Sequence, residues 1–217
     1  MAEGIEEGET VRVITAAGEF IAVGHYQIGS IAVRVLSFED IEINTDFWCE
    51  RLQSALDVRI GVGIADSPTN NTYRLVHGEG DYLPGLVIDC YGSTAVMQAH
   101  SVGMHVCRNE ICQALVQVMG DRIANVYYKS ETTLPYKADL HQENGFLVGG
   151  DASNVAMENG LKFHIDWLRG QKTGFFVDQR ENRSLLEQYP KGKSVLNMFC
   201  YTGGFSVYAM RGDAKQV

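Results

Sequence analysis

The run Val195-Leu196-Asn197-Met198-Phe199-Cys200-Tyr201-Thr202-Gly203-Gly204 constrains this chain most. It reads as a buried-type strand from Ser194 to Phe199 that enters a glycine turn and continues into a helix from Phe205 to Met210. A strand of near-continuous apolar residues needs cover on both faces, so this piece predicts the start of an α/β unit with a parallel sheet. Cofactors bind in the crevice beyond the carboxyl end of such a strand, where glycine lets backbone approach a ligand closely. The two glycines do not match Gly-x-Gly-x-x-Gly, and the turn by itself leaves a cofactor site and a purely structural turn both open.

A second constellation narrows the choice. Arg169-Gly170-Gln171-Lys172-Thr173-Gly174-Phe175-Phe176-Val177-Asp178-Gln179-Arg180-Glu181-Asn182-Arg183 gathers hydrogen-bond donors, glycine and two aromatics ahead of a helix. That helix is predicted from Asp178 to Tyr189, ended by Pro190. Such a set suits a ligand with an adenine ring, a cationic sulfonium and a carboxylate. Asp178 suits an ordinary helix N-cap equally well. One of Phe175 and Phe176 is expected in the core, but not both.

Upstream, Thr10 to Ile14, Phe20 to Tyr26 and Ile31 to Leu36 read as short β-branched strands, too few for a free-standing sheet and so part of a β-barrel. Asn44-Thr45 offers N-cap side chains to a helix with Trp48, Leu52, Ala55 and Leu56 on one face. Strands are predicted next at 72–77, 86–89 and 94–100, a helix at 101–119 stopped by Gly120, and strands at 125–129 and 145–148. Val155 to Glu158, the turn Asn159-Gly160 and Leu161 to Asp166 form a hairpin.

Composition bounds the function. The 217 residues, 45% hydrophobic, can bury one large core or two modest ones. No stretch approaches the ~20 apolar residues of a membrane span, and the acidic start Met1 to Glu7 is unlike a signal peptide, so a cytoplasmic protein with no membrane partner is expected. The formal net charge of −9 argues against nucleic acid. The segment from Lys162 to Lys193 runs against that trend with a local net of +3, compatible with an RNA substrate and with a solvated helix face alike. Five cysteines, an odd number without a Cys-x-x-Cys pair, argue against a disulfide framework and a zinc site. His25, His77, His100, His105, His141 and His164 show no ligand spacing, so no metal site is expected. Trp48 and Trp167 are assigned to cores, although an exposed Trp167 beside Arg169 could stack on RNA. Glu79 and Asp81, in a Gly-rich loop, are assigned to turn-making or inter-domain contact rather than acid/base work.

With a third run, Tyr73-Arg74-Leu75-Val76-His77-Gly78-Glu79-Gly80-Asp81-Tyr82-Leu83-Pro84-Gly85-Leu86-Val87-Ile88-Asp89, these motifs resemble the bacterial large-subunit ribosomal RNA methyltransferases that make 5-methylcytosine. The resemblance covers nearly the whole chain. It implies a partial PUA-like β-barrel over 1–43 and a central α+β domain of strand-strand-helix-strand-strand order over 44–153. Over 154–217 it implies the hairpin, a motif helix for S-adenosylmethionine (SAM), and the first strand and helix of a class I methyltransferase fold. The fold class is then α+β with the start of an α/β Rossmann-like domain. The implied cofactor is SAM and the implied partner ribosomal RNA, methylated at cytosine C5. Lys172, Thr173, Gly174, Phe176, Asp178, Gln179 and Arg180, with Asn197, Phe199, Tyr201, Thr202 and Gly203, would line the SAM pocket.

The family's Asp-Pro-Pro type motif and catalytic cysteine are not in this sequence; they are expected beyond Val217, which would leave the chain inactive alone. Methylation at cytosine C5 needs a thiolate that adds at C6. Cys200 lies in the cofactor turn rather than facing a base, and is assigned a structural role. The PUA-like barrel starts late, at Gly8-Glu9-Thr10. Rival readings are methylation of a guanine amine, which uses no thiolate, and a non-catalytic RNA-binding or assembly module. The apolar segment 194–217 is expected to be poorly ordered, packed on the central domain, or completed by another chain, which predicts a homo-oligomer.

Overall fold

A computed structural model of the chain describes residues 4–135, 140, 143–150 and 153–217; His141 lies outside them. Strands β1 (Thr10–Ile14), β2 (Phe20–Tyr26) and β3 (Val33–Ser37) form an antiparallel sheet in that order. His25 of β2 anchors this small sheet to the central part of the chain. Its buried ring lies 6.2 Å from that of Trp48, its Nε2 is 3.7 Å from Cys107 Sγ, and a Cβ on Gly103 would come within 2.2 Å of it.

Helix α1 (Thr45–Gly61) starts where the sequence places it, since Asn44 Oδ1 accepts from Phe47 N at 3.1 Å. It buries Trp48, Leu52, Ala55 and Leu56, the predicted face. Next in the chain comes a five-stranded sheet, with order β4 (Thr72–His77), β5 (Leu86–Tyr91), β6 (Thr94–Ala99), β7 (Asn125–Tyr128), β8 (Gly145–Val148). Only the β6–β7 pairing is parallel. Three strands precede the helical segment, so the implied strand-strand-helix-strand-strand order is one strand short. The tight turn at Gly92 (φ 60°) folds β5 and β6 into a hairpin, and every residue of β6 is buried. The single helix expected over 101–119 is two, α2 (Val102–Val106) and α3 (Arg108–Met119), separated at Cys107. There Arg108 donates back to the His105 carbonyl at 2.8 Å, while the His105 ring is held 2.7 Å from Tyr128 Oη.

The hairpin β9 (Val155–Glu158) and β10 (Leu161–His164) turns through Asn159 (φ 50°) and Gly160 (φ 78°), the two positive φ values a type I′ turn requires. The helix predicted from Asp178 begins later, as α4 (Arg180–Leu186), after a 3₁₀ turn at Val177–Gln179. Among the described residues no side chain caps it, and the N-cap position is Gln179 rather than Asp178. Helix α5 (Gly204–Arg211) matches the expected last helix to within a residue. The strand predicted at 194–199 does not form. A strand needs a neighbour to satisfy its backbone, and among the described residues only the Ser194–Gln216 bridge and the bond from Val195 N to Gln216 O (2.9 Å) supply one. Leu196, Met198 and Phe199 stand exposed.

Because side chains alternate across a strand, the central sheet feeds two cores. Ile88, Cys90, Ala95, Met97, Val126 and Tyr128 meet α1 and α3 on one face. Tyr91, Val96 and Tyr127 meet Phe163, Trp167, Phe175 and Tyr208 on the other. The hairpin and the 165–177 segment therefore pack onto the central sheet; of the end of the chain, Tyr208 joins this core while Leu196, Met198 and Phe199 stay exposed. Trp167 is buried and stacks on Tyr91 at 6.3 Å, which removes it from any role with RNA. Among the described residues no helix is long and apolar enough to cross a membrane.

Candidate functional site

The two loops singled out in the sequence meet through Tyr201. Its Oη accepts from Gln171 N at 2.8 Å and donates to the Gly174 carbonyl at 3.1 Å. Its ring packs edge-on against Phe176 at 5.3 Å, and Lys172 Nζ lies 5.0 Å from the centroid of that Phe176 ring. Two glycines make this approach sterically feasible. A Cβ on Gly170 would sit 2.3 Å from the Asp166 carbonyl oxygen and 2.6 Å from Tyr201 Oη, and one on Gly174 (φ 115°) would sit 2.9 Å from Trp167 Cα. Lys172, Phe199 and Tyr201 all adopt positive φ without being glycine, a concentration of backbone strain typical of functional loops. Lys129 Nζ donates to the Gly170 carbonyl at 2.5 Å, and burial lowers its pKa.

The other candidates fall into two groups. Asp178 and Arg180 face a cleft of about 290 Å³, whose far wall is Arg59, Tyr73, Arg74 and His77 of the central domain. Gln179 Nε2 donates to Asp178 Oδ2 at 3.2 Å, which places it beside this cleft. In the second loop Asn197 Nδ2 donates to Ser206 Oγ at 2.8 Å, bracing the turn against α5. Thr202 is exposed, Gly203 (φ 72°) is the residue before α5, and Phe199 projects with 97% of its surface exposed. Cys200 is also exposed, and its carbonyl accepts from Gly203 N at 2.7 Å, so it shapes the turn through its backbone. Phe175 is buried and Phe176 half-buried, as expected of one but not both.

Thr173 is turned away from the loop surface. It is fully buried, with Oγ1 donating to Asp89 Oδ2 at 2.6 Å and lying 2.8 Å from Tyr91 Oη. Asp89 in turn accepts from Arg74 through Nε (2.8 Å) and Nη2 (2.9 Å). Sequence reasoning assigned no role to Asp89 or Tyr91, but one signal was there: an aspartate inside the apolar strand Leu86-Val87-Ile88-Asp89-Cys90-Tyr91 must find partners if buried. Glu158 and Arg183 were missed as well. They form a buried bidentate pair at 2.8 and 2.7 Å beneath the loops, with Tyr208 Oη donating to Glu158 at 3.0 Å. Glu79 and Asp81 take the assigned parts. Glu79 pairs with Arg34 of β3 at 3.3 Å, while Asp81 accepts from His77 N at 2.6 Å and forms a bidentate pair with Arg59.

The residue types are ones that SAM calls for: aromatic edges and glycines for a ring and the Lys172 ammonium for a carboxylate at the Tyr201 contact, and the exposed Asp178 for positive charge at the 290 Å³ cleft, where Arg180 pairs with Glu181 at 3.1 Å. Among the described residues no three His, Cys, Asp or Glu side chains are grouped to hold a metal ion.

Residues 136–217 match the family model of S-adenosylmethionine-dependent methyltransferases, and residues 1–38 match that of PUA-like domains. The chain is 42% identical over 213 residues to the Ribosomal RNA large subunit methyltransferase I of Vibrio parahaemolyticus, covering 97% of this chain and 53% of that protein. It is 40% identical over 214 residues to the protein of the same name from Photobacterium profundum, with the same coverages of 97% and 53%. A solved Streptococcus mutans structure, described as a SAM-dependent methyltransferase, superposes with a TM-score of 0.81 at 28% identity, over 97% of this chain and 54% of that one. A second structure, described as a methyltransferase complexed with SAH (S-adenosylhomocysteine), gives 0.80 at 28% identity, over 97% and 53%. The chain thus spans about half the length of the curated relatives it matches. Both motif loops thus lie in the segment that matches the S-adenosylmethionine-dependent methyltransferase family, a PUA-like domain opens the chain, and over nearly its whole length the chain is similar to about half the length of the large-subunit ribosomal RNA methyltransferases.

Proposed function

We propose that this chain supplies the SAM-binding surface of a ribosomal RNA methyltransferase acting on cytosine C5 of large-subunit RNA in the cytoplasm. The observation that carries this reading is the closure of the 170–176 loop onto Tyr201, which builds one cradle from two separated motifs. SAM supplies an electrophilic methyl group when bound. Phe176 and Tyr201 offer it apolar walls, Lys172 and Arg180 suit its carboxylate, and Asp178 suits its cationic end. Gly174, Gln179, Asn197, Phe199, Thr202 and Gly203 shape the rim. We place the domain boundaries at 43/44 and 153/154, where the small sheet gives way to α1 and where the hairpin begins.

Calorimetry with SAM and SAH on the 217-residue chain tests the site. One site is expected, weakened about tenfold by Lys172→Ala and by Arg180→Ala, roughly 1.4 kcal/mol each. A chain that binds neither ligand would refute the assignment. Cys200 carries no nucleophilic step in this reading, so Cys200→Ser should leave SAM binding and any methyl transfer unchanged. The exposed Leu196, Met198 and Phe199 favour self-association, which a strictly monomeric sedimentation profile would contradict.

A further inference from the structure

Thr173 sits inside the proposed cofactor segment, yet its hydroxyl faces the central sheet. Proton accounting shows how it is held. The single Thr173 hydroxyl proton goes to Asp89 Oδ2 at 2.6 Å. Tyr91 is then the donor across the 2.8 Å contact to Thr173 Oγ1, its one proton shared with the Phe175 carbonyl at 3.3 Å in a three-centre bond. Burial and the nearby Asp89 raise the Tyr91 pKa, which keeps that proton in place. Asp89 is itself held by the two Arg74 nitrogens, and its side chain is fully buried. On either side of Thr173 the backbone is constrained, with Lys172 at φ 50° and Gly174 at φ 115°.

We infer that Thr173 is a positioning residue: the central strand β5, through Asp89 and Tyr91, holds the 170–176 loop in its ligand-binding shape by gripping Thr173. Thr173 therefore acts on the cofactor through Lys172 and Phe176, its neighbours on the open side, and not by touching it. The central domain is on this account part of the cofactor site. The inference rests on the proposed SAM site, and its test separates the two.

Thr173→Val keeps the shape and removes the hydroxyl, whereas Thr173→Ser keeps the hydroxyl. Calorimetry with SAH should show affinity falling about tenfold for Val and staying near wild type for Ser. Amide exchange at Gly174, whose N–H donates to the Gln171 carbonyl at 2.9 Å, should rise in the Val variant and not in the Ser variant. Tyr91→Phe, which keeps the ring, should shift both readouts in the same direction by a smaller factor. Wild-type affinity and unchanged exchange in Thr173→Val would overturn the inference, as would equal losses in Val and Ser. If the unmodified chain binds neither SAM nor SAH, the site assignment fails, and exchange alone then decides whether β5 holds the loop. Should Thr173→Val not fold, Tyr91→Phe carries the same comparison.

Discussion

Replacing Arg183 by methionine tests whether the buried ion pair supports the site from below. Glu158 is fully buried and accepts three hydrogen bonds, two from Arg183 at 2.8 and 2.7 Å and one from Tyr208 Oη at 3.0 Å. Arg183→Met keeps the length and apolar stem of the side chain but withdraws two of those three donors and the compensating charge. Breaking a buried pair from one side costs about 3–5 kcal/mol, because it strands a charge in a low dielectric. Against a typical domain stability of about 5–15 kcal/mol, that removes roughly a fifth at the least and nearly all at the most. The change also frees the Phe176 carbonyl, which Arg183 Nη2 holds at 3.0 Å, and the Phe175 ring, whose centroid lies 4.5 Å from the guanidinium carbon. Urea unfolding followed by circular dichroism measures the loss through the midpoint at constant slope. The double variant Glu158→Leu/Arg183→Met should recover most of it, since a hydrophobic pair of similar volume strands no charge. A single-variant loss below ~1 kcal/mol, or a double variant no better than Arg183→Met, would refute the reasoning.

Two further outcomes are expected from the geometry. Gly170→Ala places a methyl group 2.6 Å from Tyr201 Oη and 2.3 Å from the Asp166 carbonyl oxygen, so the loops must part. SAH affinity should fall by at least about tenfold while stability drops by only about 1–3 kcal/mol, and calorimetry beside urea unfolding reads both. His25 should make stability depend on pH: burial lowers its pKa from an ordinary value near 6.5 to about 4. Between those values the unfolded chain binds the extra proton, so stability is full above about 6.5 and declines as pH falls toward 4. The difference in urea midpoint between wild type and His25→Gln, tracked over that window, isolates this contribution; a difference independent of pH would contradict it.

What could be read from the sequence was local and periodic. β1, β2, β4 and β8 stand where alternation and turn residues put them, and Asn159-Gly160 announced its hairpin because few residues tolerate two consecutive positive φ values. The face of α1 was visible because residues spaced by three and four share one side of a helix. The strand at 194–199 was misread for a related reason. Apolar content signals a wish for burial, but a strand is made by its neighbour, and none of the described residues pairs along Leu196 to Phe199. Of the candidate site, the two loops were legible as glycine-bearing, donor-rich turns. That Thr173 faces inward was not, since its orientation depends on Asp89, 84 residues earlier in the chain.

Those distant partners explain why polar groups are buried at this seam at all. Packing of Trp167, Phe163, Phe175 and Tyr208 on Tyr91, Val96 and Tyr127 is hydrophobic and non-directional, so it would tolerate sliding of the hairpin and loops across the sheet by a fraction of a side chain. A cradle assembled from two loops cannot tolerate that displacement, because Tyr201 Oη must stay within hydrogen-bond reach of both Gln171 and Gly174. Bidentate guanidinium–carboxylate pairs are directional. Arg74–Asp89, extended by Thr173, sets where the first loop sits on β5; Glu158–Arg183, extended by Tyr208, sets where α4 and α5 sit on the hairpin. Each pair gives little net stability over apolar residues of equal volume, and each excludes neighbouring registers that apolar residues would allow. The consequence is separable by experiment: a well-packed apolar replacement of Glu158 and Arg183 should keep the chain folded while loosening the loops that α4 and α5 carry, and so lower SAH affinity without lowering stability.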